Sequence, residues 1–275
     1  MRIGALVADC SLDMVGRHLD ELSAAAALLP SGTRVSIGAT DAESIEVHRA
    51  TSAAVAAAGL SPVPHLAARR IGSAAELDHV LSGLQHDGTA ARILALAGDP
   101  DPAIGPYEST LDLIRAGRLA AHGVRAVGVA GHPEGHPAVS DDVLWSALGA
   151  KLDELERQGM SAEISTQMVL SADPVIAWID AVRDRGITVP IRIGLCGPIE
   201  PARLAGYARR VGAAASPEIL HRYGVAPGPG RVGPERLVAD LAQRLDPTVH
   251  GDVRLHLFSL GGLRVAAEWI RDAAA

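Results

Sequence analysis

The chain has two cysteines, one lysine, seven aromatic side chains other than histidine and no long apolar run, and each shortage narrows what it can be. Cys10 and Cys196 stand outside any CxxC pair and cannot build a disulfide framework, so they read as packing residues beside strands. Lys151 is the single lysine and every other strong base is arginine; this bias, with abundant Ala, Gly and Pro, reflects composition and not function. A net charge of -7 without a basic cluster argues against a nucleic-acid surface, which needs concentrated Lys and Arg. The apolar runs are broken by Arg, Asp, Gly or Pro well short of the ~20 residues of a membrane span. Met1-Arg2-Ile3-Gly4 has no leader-like cleavage pattern. A cytoplasmic enzyme of small-molecule chemistry is expected.

What is present is a βα rhythm. A chain of 275 residues with 48% hydrophobic content can bury one core, so a single domain over 1–275 is expected. Eight β-branched or apolar runs stand out: Arg2 to Ala8, Arg34 to Gly38, Pro62 to Ala67, Arg92 to Ala97, Arg125 to Ala130, Glu163 to Val169, Ile191 to Cys196 and Arg254 to Leu260. Between them apolar residues recur at spacings of three and four, as in Leu12, Val15, Leu19 and Leu22, and in Leu77, Val80, Leu81 and Leu84, which predicts covering helices. Eight such units predict an α/β fold, a single (β/α)8 TIM barrel, with a doubly wound sheet as the alternative. From about 215 to 234, Gly224, Pro227, Gly228, Pro229 and Gly230 forbid regular structure and predict a long loop at the barrel mouth.

In such barrels the C-terminal strand ends face the active site, so the polar residues there form one set of candidates. They are His65 on the third strand, Gly98 and Asp99 after the fourth, His132, Glu134 and His136 after the fifth, and Thr166 and Gln167 on the sixth. Each also has a structural reading. Gly98-Asp99-Pro100 suits an Asx turn, His65 a rim histidine, and Glu134 with His136 a loop stiffened by Pro133 and Pro137. Gln167 inside an apolar strand needs a hydrogen-bond partner, which a ligand could supply. His132 and His136 sit on a proline-rich loop and not a helix, so no zinc site is expected, and no Walker or complete GxGxxG motif follows a strand.

The segments PHL, LALAGDP and AGHPEGHP, followed by TQ at Thr166 and Gln167, resemble the methylenetetrahydrofolate reductase family from the third strand through the sixth, and more loosely over most of the chain. The resemblance implies a (β/α)8 barrel that reduces 5,10-methylenetetrahydrofolate to 5-methyltetrahydrofolate with NADH or NADPH, in most members through FAD. It implies that Asp99 faces the folate and stabilises an iminium cation, and that Gln167, with Thr166, contacts the folate. It further implies that Tyr223 stacks on folate or nicotinamide, that His65, Gly98, His132, Glu134 and His136 line the cofactor cleft, and that Lys151 meets cofactor phosphates.

Three departures accompany the match. The family's first-strand glutamate, in a stretch like FEFFPP, faces Ala5-Leu6-Val7-Ala8-Asp9-Cys10 here, so Asp9 is the expected substitute acid. The arginine of LALRGDP is Ala97, with Arg69 or Arg70 as the replacements at hand, and the aromatic before PEGHP is His132. Few rings remain to cover a flavin. These departures argue against tightly bound FAD and for hydride passed directly from nicotinamide to folate. The alternatives are a folate-binding barrel without catalysis and a non-redox one-carbon folate enzyme. NADH against NADPH and the oligomeric state stay open.

Overall fold

Strand-forming runs too short to stand alone are stabilised here by pairing each with the next in parallel until the sheet returns to its start. The computed structural model describes residues 2–38, 44–204 and 230–274. Its strands are β1 (Ser11–Met14), β2 (Arg34–Ile37), β3 (Ser61–Ala67), β4 (Arg92–Leu96), β5 (Ala126–Gly131), β6 (Ser161–Val169), β7 (Ile191–Cys196) and β8 (Val253–Phe258). They close in sequence order, with Leu12 of β1 in register with both Val35 of β2 and Leu257 of β8. The single (β/α)8 barrel is therefore the fold. Among the described residues no helix is long and apolar enough to cross a membrane.

Helices α2 (Leu19–Ala26), α3 (Ile45–Ala57), α4 (Ala74–His86), α5 (Thr110–Arg115), α6 (Asp141–Arg157), α7 (Ala172–Asp184), α8 (Glu235–Arg244), α9 (Pro247–His250) and α10 (Leu263–Ala274) follow the strands. Serine side chains start several of them: Ser73 accepts from the Glu76 N–H, and Ser109 and Asp112 make a reciprocal capping box. Leu77, Val80, Leu81 and Leu84 of α4 are all buried, as their spacing requires. Cys10 and Cys196 are buried free thiols.

The first strand differs from expectation. Ile3–Val7 is a short helix, α1, and the strand is Ser11–Met14. Leu6 and Val7 of α1 are 1% exposed, and the helix packs on α10 and β8. Ile3, Leu6 and Val7 fit helical spacing as well as a strand run, and a five-residue apolar segment does not discriminate. Leu12, expected on a helix, is therefore a strand residue, and Leu19 at the start of α2 is 39% exposed.

Alternate strand residues divide the interior by chemistry. Leu12, Val35, Ile93, Val127, Ile164, Ile193 and Leu257 are buried apolar side chains, whereas Ser11, Arg34, Ser36, Arg92, Glu163, Ser165, Arg192 and His256 line a cavity inside the barrel. The period of two sends one set towards the helices and the other to the axis.

Candidate active site

The barrel's C-terminal rim is assembled from the residues that end its strands. On β1, Asp13 shares the inward parity of Ser11 and lies two residues nearer the mouth. The Ser259 N–H, just past β8, donates to Asp13 Oδ1 at 2.6 Å, and the Ser259 hydroxyl lies 2.7 Å from the same oxygen. Burial raises the Asp13 carboxyl above its ordinary value, and the hydrogen bonds from Ser259 only partly oppose this. A carboxyl whose pKa is raised at the mouth of a barrel is suited to general-acid work.

Asp99 has the opposite setting. Its side chain is 90% exposed and reaches Arg70 at 3.4 Å, a contact that solvent largely screens. The turn that presents it needs glycine: Gly98 has φ +91°, and a Cβ there would stand 3.0 Å from Ala67 Cβ. Arg69 is engaged elsewhere, donating to the Glu108 carbonyl at 2.9 Å.

The loop after β5 is tied down onto β6. The Gln167 amide donates to the Gly135 carbonyl at 3.0 Å, and Glu134 accepts from the Leu170 N–H at 3.3 Å. Gln167 thus has a protein partner for its NH2 while its carbonyl oxygen remains for a ligand. Burial raises the Glu134 carboxyl. His132 and His136 meet edge to face with centroids 5.7 Å apart, and His136 is exposed. Behind them Lys151, 8% exposed on α6, has no hydrogen-bond or ion-pair partner among the described residues. Burial lowers its pKa to about 8, and burial together with Lys151 lowers His132 to about 4.

Deeper in the barrel, burial pushes His65 and His256 down to about 3. His256 Nδ1 is 2.9 Å from the Ser11 hydroxyl, and His65 Nε2 is buried without a partner. Both rings are neutral at physiological pH.

Two expected residues are placed elsewhere. Asp9 precedes β1 at the N-terminal end of the barrel, where Arg192 donates to its carboxylate at 3.0 Å and Arg254 pairs with it. It is a fixed ion-pair partner, remote from the rim, because the first strand begins only at Ser11. The Thr166 hydroxyl is used within the wall: it accepts from the Gly194 N–H at 2.8 Å and donates to the Gln167 carbonyl at 2.9 Å. Tyr223 and residues 215–229 of the expected 215–234 loop lie outside the described residues. Asp13 and Ser259 do not stand out in the sequence. Placing β1 one segment later reveals the first, since Ser11-Leu12-Asp13-Met14 sets an acid in the second half of a strand like the glutamate of FEFFPP.

Among the described residues no group of His, Cys, Asp and Glu is arranged to hold a metal ion. A family model for methylenetetrahydrofolate reductase matches residues 13–223. Methylenetetrahydrofolate reductase 1 of Schizosaccharomyces pombe is 37% identical over 116 residues, covering 40% of this chain and 19% of that protein. Methylenetetrahydrofolate reductase 2 of Saccharomyces cerevisiae is 35% identical over 130 residues, covering 43% and 20%. The matched part thus spans about a fifth of the length of these relatives. Among solved structures, dihydropteroate synthase from Thermus thermophilus aligns with a TM-score of 0.48 at 14% identity, over 96% of this chain and 93% of that one.

Proposed function

The chain belongs to the methylenetetrahydrofolate reductase family, and from that premise we propose that it reduces 5,10-methylenetetrahydrofolate to 5-methyltetrahydrofolate with hydride taken directly from NADH or NADPH. The observation that carries this reading is a pair of carboxyl groups in opposite environments on one rim: Asp13, desolvated and raised, and Asp99, open to solvent beside Arg70.

The reaction needs both. The Asp13 carboxyl delivers a proton to N10 as the methylene bridge opens, leaving an iminium cation at N5. The Asp99 carboxylate lowers the energy of that cation once substrate has displaced water from around it. Hydride from C4 of the nicotinamide then adds to the iminium carbon, giving the methyl group and the oxidised dinucleotide. Gln167 offers its free carbonyl oxygen to N–H donors of the pterin. Lys151 and His132 are the groups that meet the dinucleotide phosphates on this reading, and an anion beside Lys151 favours its charged form. On this reading Asp13 serves in place of the family's first-strand glutamate, which supports catalysis over a folate-binding barrel.

The alanine at position 97 argues against a tightly bound flavin. Ala97 brings neither the charge nor the donors that hold a diphosphate. No step is therefore routed through FAD.

The test is an absorbance spectrum joined to a turnover assay with NADH deuterated at C4. A colourless protein that oxidises NADH only with methylenetetrahydrofolate, and places one deuterium in the product methyl group, is expected. Stoichiometric flavin surviving gel filtration would overturn direct transfer, and folate binding without NADH oxidation would leave only a binding barrel.

A further inference from the structure

We propose that the lower half of the barrel interior, up to and including the His256 ring, is a binding site for one monatomic anion, a halide such as chloride. The site is independent of the reductase reading. It is lined by Arg34, Arg92, Arg192 and Glu163, with the hydroxyls of Ser36 and Ser165.

The charges do not balance locally. Glu163 is the one carboxylate lining the cavity, and both its oxygens are taken: Arg34 donates to Oε2 at 2.8 Å and Arg192 to Oε1 at 3.1 Å. Arg192 spends its other donors on Asp9 and Ser11. Arg92 makes no hydrogen bond or close ion pair with any described residue; it is half-buried, repelled by Arg34 and Arg192, and attracted only at longer range by Glu163, whose oxygens are already engaged. A guanidinium does not escape such a setting by losing its proton, so a countercharge is the remaining route to stabilisation.

The hydrogen-bonding inventory agrees. Ser36 is 8% exposed, and neither its hydroxyl nor that of Ser165 has a partner among the described residues. The cavity is therefore rich in donors, with the carboxylate acceptor already engaged. The serine oxygens also accept from a water molecule, but only an anion both accepts from the donors and offsets the Arg92 charge.

Size and isolation narrow the ligand further. The cavity measures about 20 Å³ by the space open to a water-sized sphere, against about 10–15 Å³ for a single water on that measure. That admits one halide and is far too small for a nucleotide. His65 and His256, neutral at physiological pH, neither compete for the anion nor attract it upward.

Two measurements on the whole protein decide the matter. In thermal unfolding at constant ionic strength, replacing gluconate by chloride or bromide should raise Tm by roughly 2–4 °C per tenfold of halide above its dissociation constant. Arg92→Gln should flatten that dependence. In crystals soaked in bromide, an anomalous peak should lie between Arg34 and Arg92. Absence of that peak at a bromide concentration that saturates the melting response, or a Tm indifferent to halide, overturns the proposal. If Arg92→Gln does not fold, the presence or absence of the bromide peak in the parent protein is decisive by itself.

Discussion

Replacing Asp13 by Asn separates two consequences of a desolvated carboxyl, because activity and stability should move in opposite directions. Burial raises its folded-state pKa above the unfolded value, so its stabilising contribution is full below the ordinary 3.8 and is lost as pH rises through the folded value. At pH 7 the ionised group carries a desolvation cost that Asn does not. Asn keeps an oxygen to accept from the Ser259 N–H and hydroxyl. The Tm of Asp13→Asn at pH 7 should therefore equal or exceed that of the parent, with the advantage shrinking towards pH 4. Turnover should fall by roughly 10²–10⁴, about 3–5 kcal/mol of barrier, the range for a lost general acid. The parent rate should also decline above the raised pKa of Asp13, where the acid is ionised, and this limb should vanish in the variant. Asp13→Glu keeps an acid and should fall between the two. The assay is NADH oxidation with methylenetetrahydrofolate across pH, with melting curves in the same buffers. A variant within threefold of the parent rate would refute the role of Asp13, and a Tm lowered by several degrees would mean that the loss is structural.

Asp99→Asn should reduce turnover about 10²-fold with folate affinity kept within a few fold and Tm unchanged, since its exposed pair with Arg70 adds little stability; unchanged turnover excludes the electrostatic role. Gln167→Ala should weaken folate binding by roughly 1–3 kcal/mol in calorimetry, and a loss of folding instead would show that its bond to Gly135 is what matters. Lys151 has a folded pKa of about 8, below its ordinary 10.5, so its charged form is a cost that disappears as pH rises through the folded value to the unfolded one. Lys151→Met should accordingly raise Tm at pH 7 but not at pH 10.5, and should raise the KM for NADH at pH 7; a KM unmoved at pH 7 would place the ammonium away from the dinucleotide.

How far the chain can be read without its structure follows from where polar residues interrupt a pattern. The strands β2 to β8 are legible within two residues at either end because their β-branched runs are bounded by turn residues. The strand β1 is not, because Asp13 breaks the apolar run of Ser11–Met14 while Ile3–Val7 offers a cleaner but misleading one. One misplaced strand then moves the expected acid from Asp13 to Asp9, at the other end of the barrel. The positions of Gln167 on β6 and Asp99 after β4 are legible because strand ends and motif spacing locate them. The closing of Thr166 onto Gly194 is not, since it depends on a register shift between β6 and β7 near Ser165 and Met168, which involves the neighbouring strand. The arginine layer is equally hidden, because Arg34, Arg92 and Arg192 each stand at or next to a strand start and read singly as solvated ends.

Taken by depth, the axis carries guanidinium groups at the base, neutral histidines in the middle and carboxyl groups at the mouth, and this order has a chemical reason. An iminium at the rim is repelled by any cation beneath it, and Coulomb energy grows as the path becomes less polar. Were His65 and His256 protonated, two positive charges would lie directly under the reacting carbon. Burial prevents this for both rings, and at His256 the neighbouring His65 and Arg192 add to the effect. The positive base adds to this only at His256, through Arg192, while Glu163 and Asp9 hold part of its charge in ion pairs. Asp13 is then governed first by desolvation and next by Ser259, not by a guanidinium that would strip its proton. On this arrangement a carboxyl can remain an acid in a barrel whose strong bases outnumber its interior carboxylates.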